Sequence, residues 1–263
     1  MDSRPYVRWL LLALIVAGGF FGLAPFIAPT QFAKATGFIG TDTFMYRLAG
    51  AASFGYAMGF AAGFRSDWDA LRIPIVSTMV FNAASIVACL HSIVVGDAQP
   101  VVYVILAASI VFTAATIYLL RTARLDATRE APAATDGGDE LAPWVFALFA
   151  VGTLAAAFFG IVALVAADTF GRAVGYSGTD EFVYRQGGAA TLDAAVGGLL
   201  VLQSRRWHAA RLPAIMAVTF NVLSVIAAAI DIASGGQPIA WIILVAAGAV
   251  SIGMVLALIR DGR

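Results

Sequence analysis

The chain has 263 residues, 61% of them hydrophobic and 12% charged, with a mean hydropathy of +0.89. A soluble globular domain carries about 25% charged residues, so this composition belongs to the membrane class. The 16 basic and 16 acidic residues cancel, leaving no global field for nucleic acid; the single cysteine, Cys89, excludes an internal disulfide, and the two histidines, His91 and His208, lie too far apart to suggest a metal or haem site.

A membrane-crossing helix needs about 20 apolar residues. Eight such runs follow in order: Trp9–Pro29, Phe44–Phe64, Ile73–Val95, Val101–Leu120, Pro143–Ala167, Phe182–Gln203, Leu212–Ala233 and Ile239–Ile259. They are continuously apolar rather than alternating, which favours helices over a β-barrel. The first follows Arg4 and Arg8 as a signal peptide would. It is longer than a signal core, and its Phe20-Phe21-Gly22 returns as Phe158-Phe159-Gly160 in the fifth run, so it reads as retained. Arg4, Arg8, Arg65, Arg72, Arg121, Arg124, Arg129, Arg205, Arg206, Arg211, Arg260 and Arg263 lie at the termini and the even-numbered connections, against Lys34, Arg47, Arg172 and Arg185 on the other side. The positive-inside rule then places both termini in the cytoplasm of a multi-pass cell-membrane protein.

The octapeptide GTDTFMYR, Gly40 to Arg47, returns as GTDEFVYR, Gly178 to Arg185, at a shift of 138. The match extends: Gly37 meets Gly175, Gly50 meets Gly188 and Gly59 meets Gly197; after one inserted residue Trp68 meets Trp207, Pro74 meets Pro213 and Phe81-Asn82 meets Phe220-Asn221; Gln99-Pro100 then meets Gln237-Pro238. This predicts an all-α integral membrane protein of eight transmembrane helices, built as two tandem parallel four-helix repeats about a pseudo-twofold axis along the membrane normal. The units are residues 1–122 and 143–263. The polar stretch 123–142, with Pro132 and Gly137-Gly138, reads as a flexible cytoplasmic linker.

Polar positions within the runs are the candidate sites. Asp42, Tyr46 and Arg47, with Asp180, Tyr184 and Arg185, form an outer cluster. Thr41 and Thr179 fall where a helix would start and Asp42 and Asp180 in the first turn, which suits capping and the helix dipole. The arginines meet the wrong end of the dipole. They read either as an anion-binding vestibule or gate, or as cations that snorkel or lock their own loop. Asp231, near the outer end of the seventh run, is a pairing candidate for Arg185, and His91 holds the same level on the third run. Asn82 and Asn221 lie near mid-membrane, either hydrogen-bonded between helices or lining a central polar site. Asp193 is a mid-membrane acid whose counterpart is Gly55. It must be protonated, paired or hydrated, which makes it a proton or cation site or a bonded structural acid. Gly55, Gly59 and Gly63 form a row for close packing inside the unit or between copies. Pro74, Pro100, Pro143, Pro213 and Pro238 read as span-opening prolines.

No nucleophile–base set, metal cluster or phosphate loop is present, and no cofactor is implied, so the pattern does not describe an enzyme. The first reading is a small secondary transporter or permeation protein for a small or amphipathic solute, proton-coupled through Asp193. The second is a non-catalytic subunit or scaffold of a larger membrane complex. The implied partners are membrane lipids, with a protein partner or a second copy on the Gly-rich faces, and no nucleic acid.

Overall fold

The computed structural model describes residues 5–38, 42–127, 140–176 and 180–260. Ten helices run through them: α1 (Pro5–Ile27), α2 (Pro29–Thr36), α3 (Thr43–Gly63), α4 (Trp68–Val95), α5 (Pro100–Ala127), α6 (Pro143–Val165), α7 (Ala167–Val174), α8 (Glu181–Ser204), α9 (Trp207–Ala233) and α10 (Pro238–Arg260). Thr41 and Thr179, and residues 128–139 of the expected linker, lie outside the described residues.

Six of the ten helices, α1, α4, α5, α6, α9 and α10, are long and apolar enough to cross a bilayer. The sequence predicts eight such runs; α3 and α8 make the difference. At 21 and 24 residues they are long enough, about 32 and 36 Å at 1.5 Å per residue. They are diluted by four glycines and Arg47 in α3, and by Glu181, Arg185, Gln186 and Asp193 in α8. The physical reason is their position. α3 packs mainly on α1 and α9, and α8 mainly on α6 and α4. A helix enclosed by other helices does not have to match lipid along its length. Met58 on α3 and Leu199 on α8 are the large apolar side chains these two leave well exposed, whereas α1 alone exposes Trp9, Leu12, Val16, Phe20, Leu23 and Ile27.

The bundle therefore runs α1–α3–α9–α10 on one side and α6–α8–α4–α5 on the other, with α4 touching α9 between them. α3 makes far less contact with α4, the next helix in the chain, than with α9. Glycines permit these close approaches. A Cβ on Gly50 would stand 2.5 Å from the Gly22 carbonyl oxygen, and one on Gly188 would stand 2.6 Å from the Leu164 nitrogen. The Gly55, Gly59 and Gly63 row faces Met216 and Leu212 of α9. That corrects the expectation that the row packs within the first unit or offers itself to a second copy: it is buried against the other half of the same chain.

Two elements have no counterpart among the predicted runs. α2 and α7 are eight-residue helices that mix polar and apolar residues, and each ends on a left-handed glycine, Gly37 and Gly175, both with φ of 80°. An L side chain is disfavoured there, and the next N–H closes the turn in the same way in both: Phe38 onto Ala33 at 3.0 Å and Tyr176 onto Gly171 at 2.9 Å.

Two prolines also differ from expectation. Pro100, Pro143 and Pro238 do open α5, α6 and α10, but α4 and α9 begin at Trp68 and Trp207, so Pro74 and Pro213 lie inside helices. Each removes one intrahelical N–H donor. α5 continues to Ala127, and the residues directly ahead of α6 are tied down. Leu141 N–H donates to Arg205 carbonyl at 2.8 Å, beside an isolated antiparallel bridge between Glu140 and Arg206. Arg205 caps α8 in a left-handed conformation, φ 54°, and its guanidinium lies 5.5 Å over the Phe146 ring.

Candidate functional site

Asp193 lies twelve residues after Glu181, about 18 Å along α8. Its side chain is 1% exposed, and its Oδ2 has no hydrogen-bond partner. The two side chains placed against the carboxyl come from two other helices: the Tyr56 hydroxyl of α3 and the Ser77 hydroxyl of α4. Tyr56 donates to the Ala190 carbonyl at 3.0 Å, and Ser77 donates to the Pro74 carbonyl at 3.1 Å. Gly197, one turn beyond Asp193, brings α8 close to α4 here, since a Cβ on it would lie 3.4 Å from Ser77 Cβ. No Lys, Arg, His, Asp or Glu other than Asp193 occurs between residues 48 and 64, 73 and 90, 186 and 204, or 212 and 230. These are the deep parts of α3, α4, α8 and α9. Among the described residues of these four helices, the carboxyl thus has no counter-charge at its depth.

The asparagines do not join it. Asn82 donates to the Thr78 carbonyl at 2.8 Å and Asn221 to the Ala217 carbonyl at 2.7 Å, each four residues back on its own helix. Both amides therefore spend a donor on their own backbone rather than bridging helices. The polar bridge between α4 and α8 is made instead by Gln186, which accepts from the Ser85 hydroxyl at 2.8 Å and donates to Cys89 Sγ at 3.7 Å.

At the end of the bundle that carries α2 and α7, the repeated octapeptides start helices. Asp42 and Asp180 are the N-caps themselves, one position earlier than the first-turn placement expected. Asp42 Oδ1 accepts from Phe44 N at 3.0 Å, Met45 N at 3.2 Å and Gln237 Nε2 at 3.0 Å, while Asp180 Oδ1 accepts from Val183 N at 3.3 Å. The Tyr46 ring lies tilted against Phe38, 5.7 Å between centroids, and Tyr184 against Tyr176, 5.5 Å. Phe38 also meets Phe182, and Tyr176 meets Phe44, so two aromatic chains cross between the halves. Burial foremost, then the Asp42 charge and Tyr184, push the Tyr176 phenol upward.

Arg185 resolves its conflict with the dipole by reaching another helix. It donates to the Leu164 carbonyl at 2.6 Å, at the C-terminal end of α6 where a cation is favoured, and pairs with Glu181 at 3.1 Å. The pairing considered with Asp231 does not form. Asp231 Oδ2 accepts Gln237 N–H at 2.8 Å and closes the α9–α10 turn. Among the described residues Arg47 reaches Thr43 Oγ1, at 3.5 Å, since threonine stands where α8 has Glu181. His91 is exposed near the end of α4.

At the opposite end, His208 Nε2 lies 2.9 and 3.0 Å from the two Asp67 oxygens, linking the α3–α4 connection to the first turn of α9. Burial acts to raise the Asp67 carboxyl, but the Ala70 N–H and the His208 ring together hold it below the usual carboxylate range.

Sequence reasoning missed Tyr56, Ser77, Gln186, Glu181 and Gln237. The available signal was that Tyr56, Ser77 and Gln186 interrupt otherwise apolar runs. Among the described residues, no three His, Cys, Asp or Glu side chains gather at a metal position.

The helices define a class: six of them are long and apolar enough to span a bilayer, which makes this a polytopic helical membrane protein whose exposed apolar faces contact lipid. No family model, curated protein or solved structure matches the chain.

Proposed function

We propose that this chain is a small secondary transporter or permeation protein, not an enzyme, whose solute path follows the α3–α4–α8–α9 core and whose coupling group is Asp193. One observation carries this. A fully buried carboxyl with an unpartnered oxygen sits where three core helices meet, with no counter-charge at its depth. Intramembrane acids are costly and are retained where they serve an ion or proton path.

In this reading α3 and α8 also span the membrane, giving eight spans with both termini cytoplasmic, and the two halves, 1–122 and 143–263, derive from one duplicated unit. The support is reciprocal packing: α3 leans on α9 as α8 leans on α4, α1 approaches α3 through Gly22 and Gly50 as α6 approaches α8 through Gly160 and Gly188, and α2 and α7 end identically. The solute is small or amphipathic, in keeping with an interior that offers few polar groups.

Native mass spectrometry after gentle extraction tests the reading. A chain that emerges alone or as a homodimer, with a retained small molecule, supports it. A fixed ratio with other protein chains makes this a subunit instead. Asp193→Asn should then abolish the pH dependence of ligand retention with the fold intact; unchanged pH dependence sinks the coupling role.

A further inference from the structure

The seam between α4 and α8 carries polar groups at successive levels. Phe182, Gln186 and Asp193 share a face of α8, and Cys89, Ser85 and Ser77 share a face of α4. The two faces meet. Ser85 donates to Gln186 at 2.8 Å, Gln186 donates to Cys89 Sγ at 3.7 Å, and a Cβ on Gly197 would lie 3.4 Å from Ser77 Cβ. Phe182 and Cys89, both buried, form the end of this seam nearest α2. Phe38, the half-buried second residue after α2, covers them. Its ring stacks on Phe182 with 6.0 Å between centroids, and it packs against the cluster of Ala88, Cys89, Val102 and Phe182.

The corresponding seam of the other half, between α3 and α9, is apolar. Leu48 stands for Gln186, Gly55 for Asp193, Ala228 for Cys89 and Met216 for Ser77. Ser224 stands for Ser85, but it donates to the Phe220 carbonyl of its own helix instead of crossing. Tyr176, the counterpart of Phe38, closes onto Phe44 and the cluster of Ala227, Ala228, Ile239 and Ala240. Of the two seams, the one under Phe38 carries the polar groups.

The two covers are also held differently. α1 turns into α2 at Ala28 and α6 into α7 at Ala166, with nearly the same backbone angles. At the second bend Arg185 donates to the Leu164 and Val165 carbonyls at 2.6 and 3.4 Å. At the first the corresponding carbonyls belong to Phe26 and Ile27, and among the described residues Arg47 reaches Thr43 instead. Pro25 and Pro29 bring no N–H to this bend, where the second half has Ala163 and Ala167. Within α7 Asp168 pairs with Arg172, whereas α2 has Thr30 and Lys34 in their places. Gly171 lets α7 settle on the Tyr184 ring, 2.9 Å from where a Cβ would stand, whereas α2 carries Ala33.

We propose that α2 is a lid hinged at Ala28 and that Phe38 is the gate it carries, opening the outer end of the α4–α8 seam toward Asp193 while α7 and Tyr176 stay fixed. This rests on the reading of Asp193 as the coupling group, and it names the side from which that group is reached. Ser85 and Gln186 are the polar pair passed between the gate and the carboxyl.

The single cysteine, Cys89, is the reporter, so the test uses the full chain as it stands. A small charged methanethiosulfonate is added to the protein in detergent at fixed pH, and labelling of Cys89 is followed by intact mass. Slow labelling, limited by opening, is expected. Phe38→Ala should accelerate it about tenfold or more, as loss of an aromatic contact from a local opening equilibrium implies, while Tyr176→Ala should leave it within about twofold. Thr43→Glu, which gives Arg47 the partner that Arg185 has in Glu181, should slow it several-fold. Hydrogen exchange of the unaltered chain should show α2 amides opening about tenfold faster than those of α7. Equal effects of the Phe38 and Tyr176 substitutions, unchanged labelling in Thr43→Glu, or equal exchange of α2 and α7 overturn the gate. If Phe38→Ala does not fold, Phe38→Leu and the exchange of the unaltered chain decide the matter. Asp193→Asn should leave labelling unchanged, so the gate and the coupling role fail separately. Labelling that ignores Phe38 removes the gate while the pH dependence assigned to Asp193 stands. A pH dependence that survives Asp193→Asn removes the coupling group while a lid that depends on Phe38 stands.

Discussion

Replacing Gly188 by alanine tests whether the backbone approach of α6 and α8 is as close as described. The added Cβ would stand 2.6 Å from Leu164 N, 2.8 Å from Gly160 O and 3.0 Å from Ala163 C. All three are backbone atoms, so no rotamer change relieves the contact. Ordinary heavy-atom separation is about 3.5 Å, so α6 must withdraw by roughly 0.9 Å, and a gap of that size forfeits about a quarter to a half of each nearby dispersion well. The same shift strains the 2.6 Å bond from Arg185 to Leu164, less than a turn away on α8. Overpacking of this kind costs about 1–3 kcal/mol, offset by up to about 1 kcal/mol of improved helix propensity, and the net expectation is a loss of about 1–2 kcal/mol. Gly152→Ala is the control: it is helical, exposed and has nothing within 4 Å of the new Cβ, so it should be neutral or mildly stabilising. Equilibrium and thermal unfolding in one detergent compare the two. If Gly188→Ala is as stable as Gly152→Ala, the close packing of α6 on α8 is wrong.

Arg185→Ala should cost about 2 kcal/mol in the same assay because it strips a buried charged donor from the Leu164 carbonyl, whereas Arg47→Ala, which among the described residues loses a 3.5 Å contact to Thr43, should stay within about 0.5 kcal/mol. Asp42→Ala should lose about 1–2 kcal/mol with its cap on Phe44 and Met45, and Asp42→Asn should recover most of it. The Asp67 carboxyl is held below its ordinary value in the fold, so its contribution is present above the unfolded pKa of about 3.9 and disappears as pH falls through the folded value. The pair with His208 is largely exposed, so the effect should be under about 1 kcal/mol, and Asp67→Ala should flatten the acid limb of a stability–pH curve.

The long helices were legible because the hydrocarbon core dictates them. Predicted Phe44–Phe64 and Phe182–Gln203 became α3 at Thr43–Gly63 and α8 at Glu181–Ser204. Starts were read too late where amphipathic turns precede the apolar run, as at Trp68 and Trp207, and this misplaced Pro74 and Pro213. α2 and α7 were invisible because eight residues of mixed polarity make no apolar run. The glycine rows announced close packing but not the partner; which helix Gly59 meets is decided by tertiary geometry, and it is α9. For the site, Asp193 stood out as a charge in an apolar run. Its neighbours Tyr56 and Ser77 interrupt their own apolar runs too, but they lie on other helices, and only tertiary geometry brings them to α8. Asn82 and Asn221 stood out equally and turned out to bond within their own helices, because a neutral amide can satisfy a donor on the preceding turn and a carboxyl cannot.

The contrast between the halves suggests why the acid occurs once. In the proposed duplication Asp193 corresponds to Gly55, and a Cβ on Gly55 would stand 3.0 Å from the Met216 carbonyl oxygen and 3.4 Å from Phe220 Cβ. An acid there would press a carboxylate toward a carbonyl oxygen, with Met216 where the other half offers Ser77. Burying an unpaired charge in this way costs about 3–5 kcal/mol, on top of the steric cost. Gly55→Asp should therefore prevent accumulation of folded protein, or lower its unfolding temperature sharply, while Asp193→Gly should fold, because it removes a buried carboxyl and leaves only a small void beside Ser77. Expression yield and detergent melts compare the two directly. A folded Gly55→Asp chain whose new carboxyl titrates like that of Asp193 would mean that the two halves offer the same surroundings, and the contrast drawn between Met216 and Ser77 would fall.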